Sequence, residues 1–218
     1  MALTPLQHDR QYGEMDQVLR AYAGLPADDT DEKPGEALTA YLRHTWHSRP
    51  WAIGIAESQL REYARNPPGP LRLRLGEVYA LPDTGRDEAS MQAWLLTVAD
   101  HLRRSLSEGA VPPPGAPRTR WEWQARFPEL GQLLGGWFSQ DFGEEFEEHE
   151  EALRDYLDTS DRTLAARLLG ELHELLALGL AEEDCALGLA CLGLELDPPA
   201  PYDHRAWLEA LAQDVARG

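Results

Sequence analysis

In the second half of this 218-residue chain, apolar positions recur with the period of an α-helix. Phe127 precedes Pro128, a favoured first helical residue, and Leu130, Leu133, Leu134 and Trp137 follow three and four residues apart. This spacing predicts a helix with one apolar face. A second helix carries Ala152, Leu153, Tyr156 and Leu157. Ser160 or Thr159 is the expected cap of a third, long helix, whose Leu164, Leu168, Leu172, Leu175 and Leu176 form one stripe ending at Gly179. A helix through Leu187, Leu189 and Cys191 follows. Asp197-Pro-Pro-Ala-Pro201 then breaks the chain before a last helix from Asp203 to Val215, with Trp207, Leu208 and Leu211 facing inward.

The first half is less regular. Leu71-Arg-Leu-Arg-Leu75 alternates as a strand does, so residues 71–79 read either as a short extended segment or as an irregular helix. The strongest punctuation is Gly109-Ala-Val-Pro-Pro-Pro-Gly-Ala-Pro117, which sustains neither a helix nor an interior strand. It predicts a proline-rich linker at 111–118 between domains at 1–110 and 119–218.

The two halves align. Tyr12-Gly-Glu-Met-Asp-Gln-Val-Leu-Arg-Ala-Tyr22 lies over Phe127-Pro-Glu-Leu-Gly-Gln-Leu-Leu-Gly-Gly-Trp137, and Glu36-Ala-Leu-Thr-Ala-Tyr-Leu42 over Glu151-Ala-Leu-Arg-Asp-Tyr-Leu157. Near each end, Ala93-Trp-Leu-Leu-Thr-Val-Ala99 lies over Ala206-Trp-Leu-Glu-Ala-Leu-Ala212. Aromatic and aliphatic positions agree in order and spacing. The expected fold is therefore mostly α: two tandem small helical bundles related by internal duplication.

Charge divides the halves. The chain carries 38 acids and 20 bases, a formal net charge of −18, and its one lysine is Lys33. Residues 1–110 hold 16 acids and 12 bases, whereas residues 111–218 hold 22 acids and 8 bases. Such a surplus argues against nucleic acid and anionic membranes as partners, since both attract clustered positive charge. It suits a basic protein surface; it also suits mere solubility. The N-terminus lacks a basic stretch followed by an apolar run, and the apolar stretches are too short for a membrane span, so a cytoplasmic protein is expected. Cys185 and Cys191 read as small core residues of a reducing compartment.

No HExxH, GxSxG, Walker or GxGxxG pattern is present, and neither an enzyme nor a cofactor is expected. His44 and His47 stand three apart without a matching acid or histidine pair, and His173 reads as a helix-surface residue. His149 lies within six glutamates of Glu144–Glu151, but consecutive acids on a helix point around its axis and no glycine turn completes a calcium loop. No metal is expected there.

The acidic run itself is the candidate binding surface. Nine acids and one base, Arg154, fall between Asp141 and Asp158. The crowding costs a few tenths of a kcal/mol per close like pair. Complementary fields that speed association would offset that cost, while the plainer alternative is a solvated helix face with acids near its N-terminus. Trp137 and Phe142 have the spacing of core anchors, and Phe138 and Phe146 are expected to be partly exposed. Apolar anchors ringed by acids suit an Arg- or Lys-rich partner. The candidate contact residues are Phe138, Gln140, Asp141, Glu144, Glu145, Phe146, Glu147, Glu148, Glu151 and Asp155.

Phe127-Pro-Glu-Leu, Leu134-Gly-Gly-Trp-Phe-Ser-Gln-Asp-Phe142 and Glu150-Glu-Ala-Leu-Arg-Asp-Tyr-Leu157 together resemble the small helical immunity proteins of bacterial contact-dependent growth inhibition systems. The resemblance covers residues 127–215. Ser139 stands where that family usually has His, and the first half has Leu25-Pro26-Ala27 in place of Gln140-Asp141-Phe142. The resemblance implies an inhibitor that binds a cognate toxin domain one to one, as a monomer, and blocks its active site or substrate groove. Many such toxins act on nucleic acid through a basic cleft, which an acidic inhibitor can occupy. An acidic helical adaptor without a toxin partner is the alternative reading.

Overall fold

Pro5, Pro50 and Pro128 each start a helix, and short polar side chains cap several others. The computed structural model describes residues 5–67, 87–139 and 142–217, and among these it contains eleven helices and no strand. The expected mostly α fold is what forms among the described residues; residues 71–79 lie outside them. The chain divides into two compact units, 1–114 and 115–218.

The first unit contains α1 (Pro5–Arg20), α2 (Glu36–Ser48), α3 (Pro50–Arg65) and α4 (Glu88–Glu108). Within α1, Tyr12 leaves the helical region (φ −131°, ψ 16°) and bends the helix. Only Arg49 separates α2 from α3, because Pro50 cannot donate to a continuing helix and excludes helical angles at the residue before it. The Asp87 side chain caps α4 by accepting from the Ser90 backbone N–H at 2.8 Å, and Gly109, at φ +62°, ends it. The helix α3 is central and packs on α4 and α1. Met15, Val18, Leu19, Leu38, Tyr41, Ile53, Leu60, Leu95 and Leu102 are fully buried among them. Each such aliphatic side chain contributes on the order of 2 kcal/mol through burial.

Residues 21–35 cross this bundle as a strap. The buried carboxylate of Asp29 accepts from the Tyr22 hydroxyl (2.9 Å), the Trp94 indole N–H (3.0 Å) and the Gly35 backbone N–H (2.8 Å). Asp31 accepts from the Thr97 hydroxyl at 2.9 Å.

The second unit contains α5 (Arg120–Arg126), α6 (Pro128–Trp137), α7 (Phe142–Glu145), α8 (His149–Thr159), α9 (Arg162–Ala177), α10 (Glu182–Cys191) and α11 (His204–Arg217). A capping box starts α5: the Thr119 side chain accepts from the Glu122 N–H, and the Glu122 carboxylate accepts from the Thr119 N–H. Phe127, held before Pro128, breaks α5 from α6. Asp161 caps α9, accepting from Thr163 and Leu164, where Ser160 or Thr159 had been expected; one residue further on, the carboxylate reaches two free N–H groups at once. The core joins Leu130, Leu133, Leu134, Leu153, Leu168, Leu172, Leu189, Trp207 and Leu208. Gly193 (φ +104°) lets the chain after α10 pass against α6, where a Cβ would stand 2.8 Å from the Gly135 Cα.

One hydrogen bond recurs in both units. In each, a side chain from the long central helix reaches the helix that follows a backbone break. Gln59 of α3 accepts from the Met15 N–H at 2.8 Å, and Glu171 of α9 accepts from the Leu130 N–H at 2.8 Å. The glutamate just before each acceptor-bound residue is ion-paired: Glu14 with Arg49 at 2.8 Å, and Glu129 with Arg167 at 3.4 Å.

Candidate functional site

The acidic run occupies the turn from the end of α6 to the first turns of α8. Its aromatic residues fix it to the core. Phe138, the C-cap of α6, meets the Trp207 indole edge-on (5.2 Å between ring centroids) and stacks on His149 (5.5 Å) and Phe142 (5.9 Å). Phe142 also contacts His149 (4.9 Å) and Phe146 (6.0 Å). With these rings turned inward, Glu144, Glu145, Glu147, Glu148, Glu150 and Glu151 are exposed.

Phe138 departs from expectation. It is fully buried, not partly exposed, because its ring fills the space between α8 and α11. Its role is to anchor the acidic segment. Phe142 and Phe146 are both half-buried against the core, as is Trp137. Trp137 donates its indole N–H to Asp155 at 2.9 Å and meets Tyr156 edge-on. Gln140 and Asp141 lie outside the described residues.

Among the described residues, no ion pair joins Glu144, Glu145, Glu147, Glu148, Glu150 or Glu151 to a basic group. Glu151 accepts from the Glu147 backbone N–H at 3.2 Å, and Glu150 and Glu151 stand in the first turn of α8, where the helix dipole favours them. The strap of the first unit differs: there, Asp29 and Asp31 are engaged inside their own bundle.

Two titratable groups of this unit are perturbed by burial. Desolvation lowers the His149 pKa below its ordinary value, against the opposing pull of Glu150, and the buried Nε2 has no hydrogen-bond partner among the described residues. Desolvation also raises Glu171 to about 7, despite the two backbone N–H groups of Glu129 and Leu130 that favour its charged form. Among the described residues, no three His, Cys, Asp or Glu side chains are grouped to hold a metal ion. The involvement of His149 and Trp207 was not read from the sequence. The spacing of Phe138, Phe142, Phe146 and His149 along the run carried part of that signal.

Residues 126–215 match the family model of the CdiI immunity protein, less than half of the chain and nearly all of the second unit. CdiI immunity proteins are inhibitors of toxins, not enzymes, and the match supports an immunity function against a toxin. No curated protein and no solved structure matches the chain. No helix among the described residues is long and apolar enough to cross a membrane.

Proposed function

We propose that this chain neutralises a cognate bacterial toxin domain in the cytoplasm, one to one, by docking the acidic face of its second unit on a basic active site or substrate groove. The observation that carries this reading is the exposed glutamate run, held without an ion pair among the described residues, in the segment matched to the immunity family. Mutual repulsion within the run opposes folding, and a basic partner surface relieves it. A toxin acting on nucleic acid presents such a surface, and the glutamates from Glu144 to Glu151, with Asp155 beside them, substitute for phosphates.

The first unit is read as a diverged copy of the second. The hydrogen bonds of Gln59 with Met15 and Glu171 with Leu130 support this: the two donors fall at equivalent positions of the aligned segments, and each acceptor comes from the long helix that packs on that segment. In the copy, two acids of the connecting segment, Asp29 and Asp31, are turned to internal bonding, which favours the second unit as the docking face.

Growth tests the proposal. Cells expressing the toxin domain encoded immediately upstream should stop growing, and co-expression of this chain should restore growth and give a co-purifying complex. Continued arrest, with the chain folded and expressed, contradicts the reading.

A further inference from the structure

A cleft opens beside the acidic run, between the start of α8, the chain before α11 and α11 itself. It is a half-open cleft of about 50 Å³. Leu153, Pro199, Trp207 and Leu211 give it apolar walls, and Glu150 and Asp214 supply carboxylates. Glu150 has no ion pair among the described residues. Asp214 pairs with Arg217 at 2.5 Å, but that arginine is 70% exposed, and an exposed pair of this kind holds on weakly enough to be displaced. The cleft begins at His149 and Glu150, directly after Glu144–Glu148, so it continues the charged face rather than standing apart from it.

This combination selects its occupant. Two carboxylates repel an anion, and the apolar walls offer nothing to a hydrated metal ion, which would need more oxygen ligands than the cleft provides. A lysine ammonium is a compact, strongly hydrated charge that loses much on entering apolar walls. A guanidinium is planar and weakly hydrated, forms forked bonds to carboxylates and is carried on an apolar stem. We propose that the cleft receives one arginine side chain of the protein partner, its stem along Leu153 and Leu211 and its guanidinium answering Glu150 and Asp214. The inference rests on the proposed toxin-binding role and specifies one anchor within it, a buried arginine being a frequent energetic centre of an interface.

The test uses no toxin, so it fails separately from the functional reading. The full chain, labelled with ¹⁵N, is titrated with N-acetyl-arginine methylamide and with its neutral isostere, N-acetyl-citrulline methylamide. The arginine compound should shift the Trp207 indole and the Ala210 and Leu211 amides saturably, and the citrulline compound should leave them in place. Ala210→Phe, which fills the cleft, and the pair Glu150→Gln with Asp214→Asn, which discharges it, should each weaken the response at least tenfold. The charge-neutral pair keeps the test decisive if the phenylalanine variant does not fold. Absence of a saturable shift at the cleft, an equal response to citrulline, or full retention in the discharged variant overturns the proposal.

Discussion

Glu171 of α9 accepts the Leu130 backbone N–H at 2.8 Å, so a carboxylate from one helix closes the N-terminus of another. Burial raises this carboxyl from 4.5 to about 7. The folded protein therefore holds the proton more tightly than the unfolded chain does. Stability is greatest below pH 4.5 as far as this group is concerned, and it declines as pH rises from 4.5 through 7. Glu171→Gln should remove that decline. Relative to the parent, the variant should improve by on the order of 1 kcal/mol between pH 5 and pH 8, after allowance for solvent screening, on top of a pH-independent cost for the one backbone N–H that the amide nitrogen cannot accept. Urea midpoints at the two pH values measure the difference. Gln59 plays this part in the first unit without a titratable proton.

His149 should act in the opposite sense. Its folded pKa lies below the ordinary 6.5, so its contribution is fully present above pH 6.5 and is lost as pH falls through the folded value. His149→Phe keeps a ring against Phe138 and Phe142 and removes the proton. Its stability relative to the parent should rise as pH is lowered from 7.5 to 5.5, as read by the same midpoints.

Two glycines should respond with opposite signs. A Cβ on Gly188 would stand 2.5 Å from two ring atoms of Trp123, itself in the core. Alanine's helix preference of about 1 kcal/mol is outweighed there by overpacking of roughly 1–3 kcal/mol, so Gly188→Ala should lower the melting temperature. Gly170, inside α9, meets nothing within 4 Å. Gly170→Ala should stabilise by about 0.5–1 kcal/mol.

Asp29→Ala leaves the Tyr22, Trp94 and Gly35 donors without their buried acceptor. A loss of about 2–4 kcal/mol is expected in chemical denaturation, and Asp29→Asn, which retains an acceptor oxygen, should recover part of it.

The sequence carried the frame more fully than the contacts. Helical spacing located α6, α8, α9 and α11, because each buries one stripe and the stripe dictates the period. The Thr119–Glu122 capping box, and α5 with it, was missed beside the proline-rich stretch, although Thr-x-x-Glu is itself a start signal. Asp161 replaced the expected cap because caps compete among adjacent polar residues and geometry decides. The acidic run was legible as charge. The burial of Phe138 was not, since it depends on His149 and on Trp207, brought together only by the fold. The cleft at Glu150 and Asp214 was equally hidden, its two carboxylates lying on different helices.

In the proposed function, the exposed glutamates of the second unit, without an ion pair among the described residues, drive encounter with a basic toxin. The most direct measurement is the association rate of the chain with the upstream-encoded toxin domain, by stopped flow, as ionic strength rises. Between low salt and about 1 M, where the screening length shrinks to about 3 Å, the rate should fall roughly tenfold or more. The variant carrying Glu144→Gln, Glu145→Gln, Glu147→Gln and Glu148→Gln should start slower and lose most of that dependence. A rate that stays flat across the salt series, in a complex that nevertheless forms, would contradict the account.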